Sequence, residues 1–246
     1  MADTMERFMS EFNNLHHALM EKSGSNDDFF SLLKDMEDDP IVSRFKDELH
    51  IIRKLRNILI HEKKTIEYDI AMPSEEVVNQ LIFIRQQLIQ PYQAGDYFSR
   101  KVFSFSIQDS FERLLYFVNK NNLYQFPIFD EDGLAGILSH NGITNWLANH
   151  YTDGKLDLSE ILIKDIVADE TTYYQYEIIS PATSLFEVEE MFFRNLAVGR
   201  SQYLILLAEV DEIREWDDIK GIITPWDLPK VLNLVQNKKK NRPIDY

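Results

Sequence analysis

Gly221-Ile222-Ile223-Thr224-Pro225-Trp226-Asp227 is the most informative stretch of this 246-residue chain. Two β-branched residues after a glycine read as the end of a strand. Proline then suits the first turn of a helix. A strand that turns directly into a helix leaves backbone N–H groups unpaired at the positive end of the helix dipole. A threonine hydroxyl at that point can cap the helix or meet a phosphate. An aspartate three residues later can accept both hydroxyls of a ribose. Taken alone, Thr224 and Asp227 make an N-cap with an acidic first turn, a stabilising arrangement in itself. The preceding strand, the glycine and a tandem repeat move the balance toward a ligand site.

The repeat lies upstream. Phe126-Pro127-Ile128-Phe129-Asp130 reads as a strand entering a turn, Asp130-Glu131-Asp132-Gly133, and Gly136-Ile137-Leu138-Ser139 closes the return strand. Val102–Phe105 before it reads as a strand and 110–120 as a helix. A further helix is expected over 142–149. The order recurs: Ile178-Ile179-Ser180 extended, 184–196 helical, 203–207 and 220–224 as strands, 225–235 helical. An internal repeat of this size predicts two copies of one supersecondary unit, each covering the other's exposed sheet. The acidic stretch Glu209–Asp218 between the last two strands reads as a solvated loop.

These segments resemble the two halves of a cystathionine-β-synthase-type (CBS) pair, also called a Bateman module, over somewhat more than half of the chain. In that family the hydroxyl and carboxylate of the strand-to-helix turn bind a ribose. The adjoining helix N-terminus faces phosphate, and the pocket is completed by the other half. The resemblance implies that Thr224, Pro225, Trp226 and Asp227 face Ser104, Phe105, Gln125, Phe126 and Pro127. In the first half Gly142 occupies the aspartate position, and Leu204 is aligned with Pro127. One competent site and one degenerate site per chain follow. The implied ligand is AMP, ADP, ATP, cyclic di-AMP or S-adenosylmethionine, with no cofactor required. No G-x-x-x-x-G-K-[ST] loop is present, so ATP hydrolysis is not suggested.

The first 95 residues read as helices. Met5, Phe8, Met9, Phe12, Leu15 and Leu19 recur at helical spacing. Asp27 or Asp28 can cap a short helix, and Asp39-Pro40 can start another. A long helix is expected to His61, and one more runs from the Pro73-Ser74-Glu75-Glu76 start to Pro91. Arg56-Asn57 followed by His61 resembles the R-x-x-x-x-H segment of HEPN domains, small helical bundles of which some cut RNA as dimers. The resemblance implies Arg56, Asn57 and His61 as catalytic residues. Histidine titrates in the range that acid–base chemistry needs, and arginine suits phosphate.

Composition bounds both readings. There is no cysteine, which excludes disulfides and thiolate metal sites, and no metal site is expected. No apolar run approaches membrane-span length and no secretory signal is visible, so a cytoplasmic protein is expected. The net charge of -15 opposes general binding of polyanions. The Arg44–Lys64 stretch, with seven cations against three anions, is a local exception. The expected fold is α+β: an N-terminal helical bundle (1–95, HEPN-like), then two pseudo-symmetric β-α-β-β-α CBS modules (98–236, divided near 150–160), and a basic tail (237–246). The expected function is a cytoplasmic homodimeric regulator that senses an adenine nucleotide and signals to the helical domain. RNA or a protein is the partner expected at that domain. Two alternatives stay open: a nucleotide-regulated, metal-independent ribonuclease of HEPN type, and a non-catalytic dimerisation or adaptor protein with a vestigial pocket.

Overall fold

The computed structural model describes residues 2–61, 71–121, 123–151, 157–158, 160–167, 175–200 and 202–236. Lys63, Lys64 and the basic tail therefore lie outside the described residues. The protein is α+β and divides into two compact units. One comprises Met1–Tyr92, Ser184–Glu190 and Lys230–Tyr246, the other Gln93–Thr183 and Met191–Pro229.

The first unit is helical: α1 (Ala2–Ser23), α2 (Phe29–Asp35), α3 (Pro40–Arg44), α4 (Lys46–His61) and α5 (Glu75–Ile89). The apolar stripe of α1 (Phe8, Phe12, Leu15, Leu19) and that of α5 (Val78, Leu81, Ile84, Leu88) are buried where the two helices pack. Asp28 starts α2 by accepting the amides of Phe30 and Ser31. Asp39 does the same for α3 from Ile41 and Val42, with Pro40 in the first turn.

The single long helix expected up to His61 is broken at Phe45, which leaves helical geometry (φ -108°, ψ 14°). Its ring, 2% exposed, meets Phe83 at 6.0 Å and Phe186 at 5.9 Å. Burying an aromatic ring in such a cluster outweighs one turn of helix continuity.

Phe186 belongs to the start of α10 (Leu185–Ala197), whose first residues form part of this unit. One turn on, Glu189 is 5% exposed and pairs with Arg44 at 3.3 Å. Burial raises the Glu189 carboxyl above the usual carboxylate range, and Arg44 opposes that shift. A carboxyl with a raised folded pKa stabilises most at low pH, and that contribution is lost as pH rises through the folded value. Arg44→Ala is expected to cost about 3 kcal/mol at neutral pH, because a buried carboxylate loses its cation. The deficit should shrink as the pH is lowered from neutral, because a protonated Glu189 no longer needs the cation. Urea melts of both proteins across an acidic-to-neutral pH series check this, and a deficit independent of pH would refute it.

The second unit holds two three-stranded sheets. In order along the chain it contains α6 (Ala94–Phe98), β1 (Phe105–Ser106), α7 (Phe111–Asn121), β2 (Gln125–Phe129), β3 (Leu134–Ser139), α8 (His140–His150), α9 (Ile163–Val167), β4 (Gln175–Ile179), the end of α10, β5 (Tyr203–Ala208), β6 (Ile219–Ile223) and the first residues of α11 (Leu228–Val235). β1 pairs parallel with β2 and β2 antiparallel with β3; β4, β5 and β6 repeat that pattern. The copies agree in detail. Gly136 lies opposite Ile128 and Gly221 opposite Leu207, and each hairpin has its bulge one residue beyond that pair.

This register corrects the alignment of Leu204 with Pro127. Pro127 faces Ile137 and Leu206 faces Ile222, so Leu206 is the counterpart of Pro127. The glycine pairs set the register, and a shift of two residues keeps the same alternation, so hydropathy alone does not detect it.

Phe129, Ile137, Leu204, Leu206, Ile219 and Ile222 share one apolar cluster, so each sheet covers the other. Phe126 and Ile128, alternating with them, join Phe105, Phe111, Trp146, Ile163 and Ile166 in a second core under the helices. The acidic loop is solvated only in part. Ile213 is 3% exposed, enters the cluster between the sheets, and its carbonyl accepts the Leu134 amide at 3.1 Å. Asp218 accepts the amides of Arg214 and Glu215, which lowers its carboxyl below the ordinary range.

The expected strand Val102–Phe105 is displaced. Only Phe105 and Ser106 join β2, while the chain just before crosses to the other sheet. There Ser99 bridges to Gly221, and the Arg100 amide donates to the Lys220 carbonyl at 2.9 Å. Both sheets are thereby tied to the segment 99–106.

Candidate functional site

The crossing segment forms one wall of a cavity of about 640 Å3, within the ~300–1,000 Å3 typical of small-molecule sites. Arg100–Phe103 line this wall, Leu123–Gln125 and His140 another, and Ile222, Thr224, Trp226 and Asp227 a third. All belong to the second unit.

At the third wall β6 ends and Pro225–Asp227 make a single 3-10 turn before α11. The tight turn comes from the Asp227 amide, which donates to the Thr224 carbonyl three residues back, at 2.9 Å. Asp227 Oδ2 accepts both the Thr224 amide (2.9 Å) and the Thr224 hydroxyl (3.0 Å). Oδ1 has no hydrogen-bond partner among the described residues, so one carboxylate oxygen is committed to the turn and the other is available. Thr224 itself is 7% exposed.

The rim is aromatic. Trp226 is 81% exposed, Tyr124 48% and Phe103 37%. Tyr124 meets the His140 ring edge-on at 5.7 Å. Exposed aromatic faces around a cavity supply stacking surface for a planar base. Arg100 and Lys101 add cationic charge. The Arg100 guanidinium donates to the Ile222 carbonyl at 3.2 Å, which holds it against β6. A carboxylate, aromatic faces and two cations around one cavity match the three chemical parts of a nucleotide.

Among the residues named from sequence, Thr224, Trp226, Asp227 and Gln125 line this cavity. Phe105 and Phe126 are 1% and 0% exposed and belong to the core under the helices. Pro127 is buried within β2, Pro225 is half-buried in the 3-10 turn, and neither lines the cavity. Ser104 lies on a neighbouring cavity. Arg100, Lys101, Phe103, Tyr124 and His140 were not named from sequence. His140 had a local signal, since it directly follows the capping Ser139, as Pro225 follows Thr224.

At the equivalent turn of the first module, the Ser139 hydroxyl accepts the Gly142 amide at 3.2 Å. Gly142 has no carboxylate to offer.

In the helical unit the Arg56 guanidinium lies over the Phe12 ring at 5.6 Å, and Nη1 donates to Asn57 Oδ1 at 3.4 Å. Its Nε is buried without a hydrogen-bond partner among the described residues. Arg53 lies over Phe30 at 4.7 Å. Both arginines thus pack on aromatic rings of neighbouring helices. The side chain of His61 lies outside the described residues.

Two mixed sheets of identical pairing, one followed by α8 with Ser139 as its cap and the other by the Thr224–Asp227 turn, define the class of fold. Residues 94–149 match the family model of the CBS domain, and the second half of the unit repeats the same strand pattern. Comparison with curated proteins gives no match. Similar solved structures include an acetoin utilization protein (AcuB) from Vibrio cholerae, 14% identical, over 62% of this chain and 99% of that one (TM-score 0.43). The CBS domain of a bacterial CNNM/CorC family Mg2+ transporter in complex with ATP is 13% identical, over 68% and 100% (TM-score 0.41). CBSX2 in complex with AMP is 15% identical, over 60% and 99% (TM-score 0.38). Among the described residues no helix is long and apolar enough to cross a membrane.

Proposed function

We propose that the protein is a regulator that binds an adenine nucleotide in the cavity between segment 100–103 and the Thr224–Asp227 turn. The observation that carries this reading is Asp227, whose Oδ2 holds the turn while Oδ1 has no hydrogen-bond partner among the described residues, in a cavity rimmed by Phe103, Tyr124 and Trp226. The base stacks on the rim, the ribose hydroxyls donate to Asp227, and the phosphates meet Arg100 and Lys101. The molecule works in the cytoplasm as a homodimer and passes the signal to its helical unit, where a protein or RNA partner docks.

Chain continuity supports that transmission. α11 begins one residue after Asp227, and from Lys230 onward its residues count with the helical unit. A ligand that holds Asp227 in one arrangement therefore biases a helix shared by both units, provided its affinity differs between two states. Nothing in the geometry of Arg56 favours the ribonuclease alternative.

Calorimetric titration with adenosine nucleotides tests the reading. One site per chain is expected, because Gly142 leaves the other turn without a carboxylate. Two equal sites, or no heat with any adenine nucleotide, would refute it.

A further inference from the structure

A second cavity, of about 580 Å3, shares Arg100, Lys101 and Val102 with the first. Its other walls include Ser104, Trp216, Asp217 and Lys220. Three cations against one carboxylate is an unusual local balance in a chain of net charge -15. Lys220 stands on the exposed side of β6, and its ammonium reaches the Asp217 carbonyl at 2.6 Å. An independent feature points the same way. The Ser104 hydroxyl is buried and has no hydrogen-bond partner among the described residues. Buried hydroxyls are almost always paired, so an orphan on a cavity wall marks a place for an acceptor.

The geometry points to this second cavity as the seat of the distal phosphates of a nucleoside triphosphate whose nucleoside occupies the first. The inference rests on the nucleotide reading above and narrows it to a ligand with a phosphate chain. Arg100 and Lys101 border both cavities, so a chain of anions passing them keeps its charge compensated throughout. Lys220 and the Ser104 hydroxyl then meet its far end, where a terminal phosphate presents three acceptor oxygens. S-adenosylmethionine fits poorly, since its sulfonium would face three cations. A cyclic dinucleotide fits poorly too, because its phosphates are diesters, each with a single charge, and it has no terminal phosphate.

The test is titration of the full chain with AMP, ADP, ATP and inorganic tripolyphosphate in magnesium-free buffer, repeated with Lys220→Ala and Ser104→Ala. Affinity is expected to rise from AMP to ATP by about tenfold or more, the scale of one or two added charge-assisted hydrogen bonds. Lys220→Ala should remove most of that advantage and leave the AMP affinity within about twofold, since the backbone carbonyl that holds Arg100 is retained. Lys220→Arg should restore it. Equal affinities for AMP and ATP, or equal losses of both in the variants, would overturn the assignment while leaving the nucleotide reading intact. Tripolyphosphate binding more tightly than ATP would assign the cavity to free polyphosphate and overturn it as well. Absence of binding by every nucleotide would instead remove the reading on which it rests.

Discussion

Asp227→Ala is expected to weaken nucleotide binding by about 10- to 100-fold. Hydrogen bonds to a charged acceptor contribute on the order of 1.5–3 kcal/mol, and 1.4 kcal/mol is a factor of ten in affinity. The proposed ligand contact and the turn contact of this carboxylate separate experimentally. Oδ2 closes the turn on Thr224, so its loss should also lower stability by about 0.5–2 kcal/mol, the scale of a helix cap. Asp227→Asn keeps an oxygen acceptor for the Thr224 amide but loses the charge. It should recover most of the stability and much less of the affinity. Titration calorimetry reads one quantity and urea denaturation the other. If both variants bind as the parent does, Asp227 has only its capping role.

Gly221→Ala is expected to cost about 3 kcal/mol of stability, the upper end of overpacking substitutions. A Cβ at this position would lie 2.3 Å from the Phe98 carbonyl oxygen and 3.1 Å from Leu207 Cδ1. The nearer atom is backbone, held by the bridge between Ser99 and Gly221, and cannot swing aside. The clash also pushes on the segment that carries Arg100 and Lys101 into the cavity, so weaker nucleotide binding should accompany the instability. Gly199→Ala is the comparison. Nothing lies within 4 Å of its would-be Cβ, but its φ of +77° is left-handed. That cost is conformational only, about 1–2 kcal/mol, and ligand affinity should not move. Equal stability losses in the two variants would contradict the close approach at Gly221.

The same glycine explains how far the sequence could be read. Its local surroundings spell a strand that ends at a capped turn, and Thr224, Asp227 and the repeat with Gly136 and Ser139 follow from adjacent residues. Short-range signals of this kind carry their own geometry. What lies across from Gly221 does not follow. Ser99 and Arg100 are more than a hundred positions away, and nothing in Arg100-Lys101-Val102-Phe103 announces that it leaves one sheet for the other. The cationic and aromatic wall of the cavity was therefore invisible, although its aspartate was not.

Phe126 is the opposite case. Alternation along β2 already groups it with Ile128 on one face of the sheet, and both are buried in the core under the helices. In the helical unit, spacing located α1, α2 and α5, since caps and apolar stripes are local. The break at Phe45 was not legible, because Phe83 and Phe186, which hold its ring, come from distant parts of the chain. The acidic loop hid Ile213 for the same reason: of its apolar residues Val210, Ile213 and Trp216 only Ile213 is buried, in a cluster built from distant parts of the chain.

A crystal structure of the chain grown with ATP tests the central claim most directly. Both ribose hydroxyls are expected within hydrogen-bond distance of Asp227 and adenine among Phe103, Tyr124 and Trp226, with the first phosphate beside Arg100 and Lys101. A nucleotide bound elsewhere, or this cavity empty at saturating ATP, would contradict it.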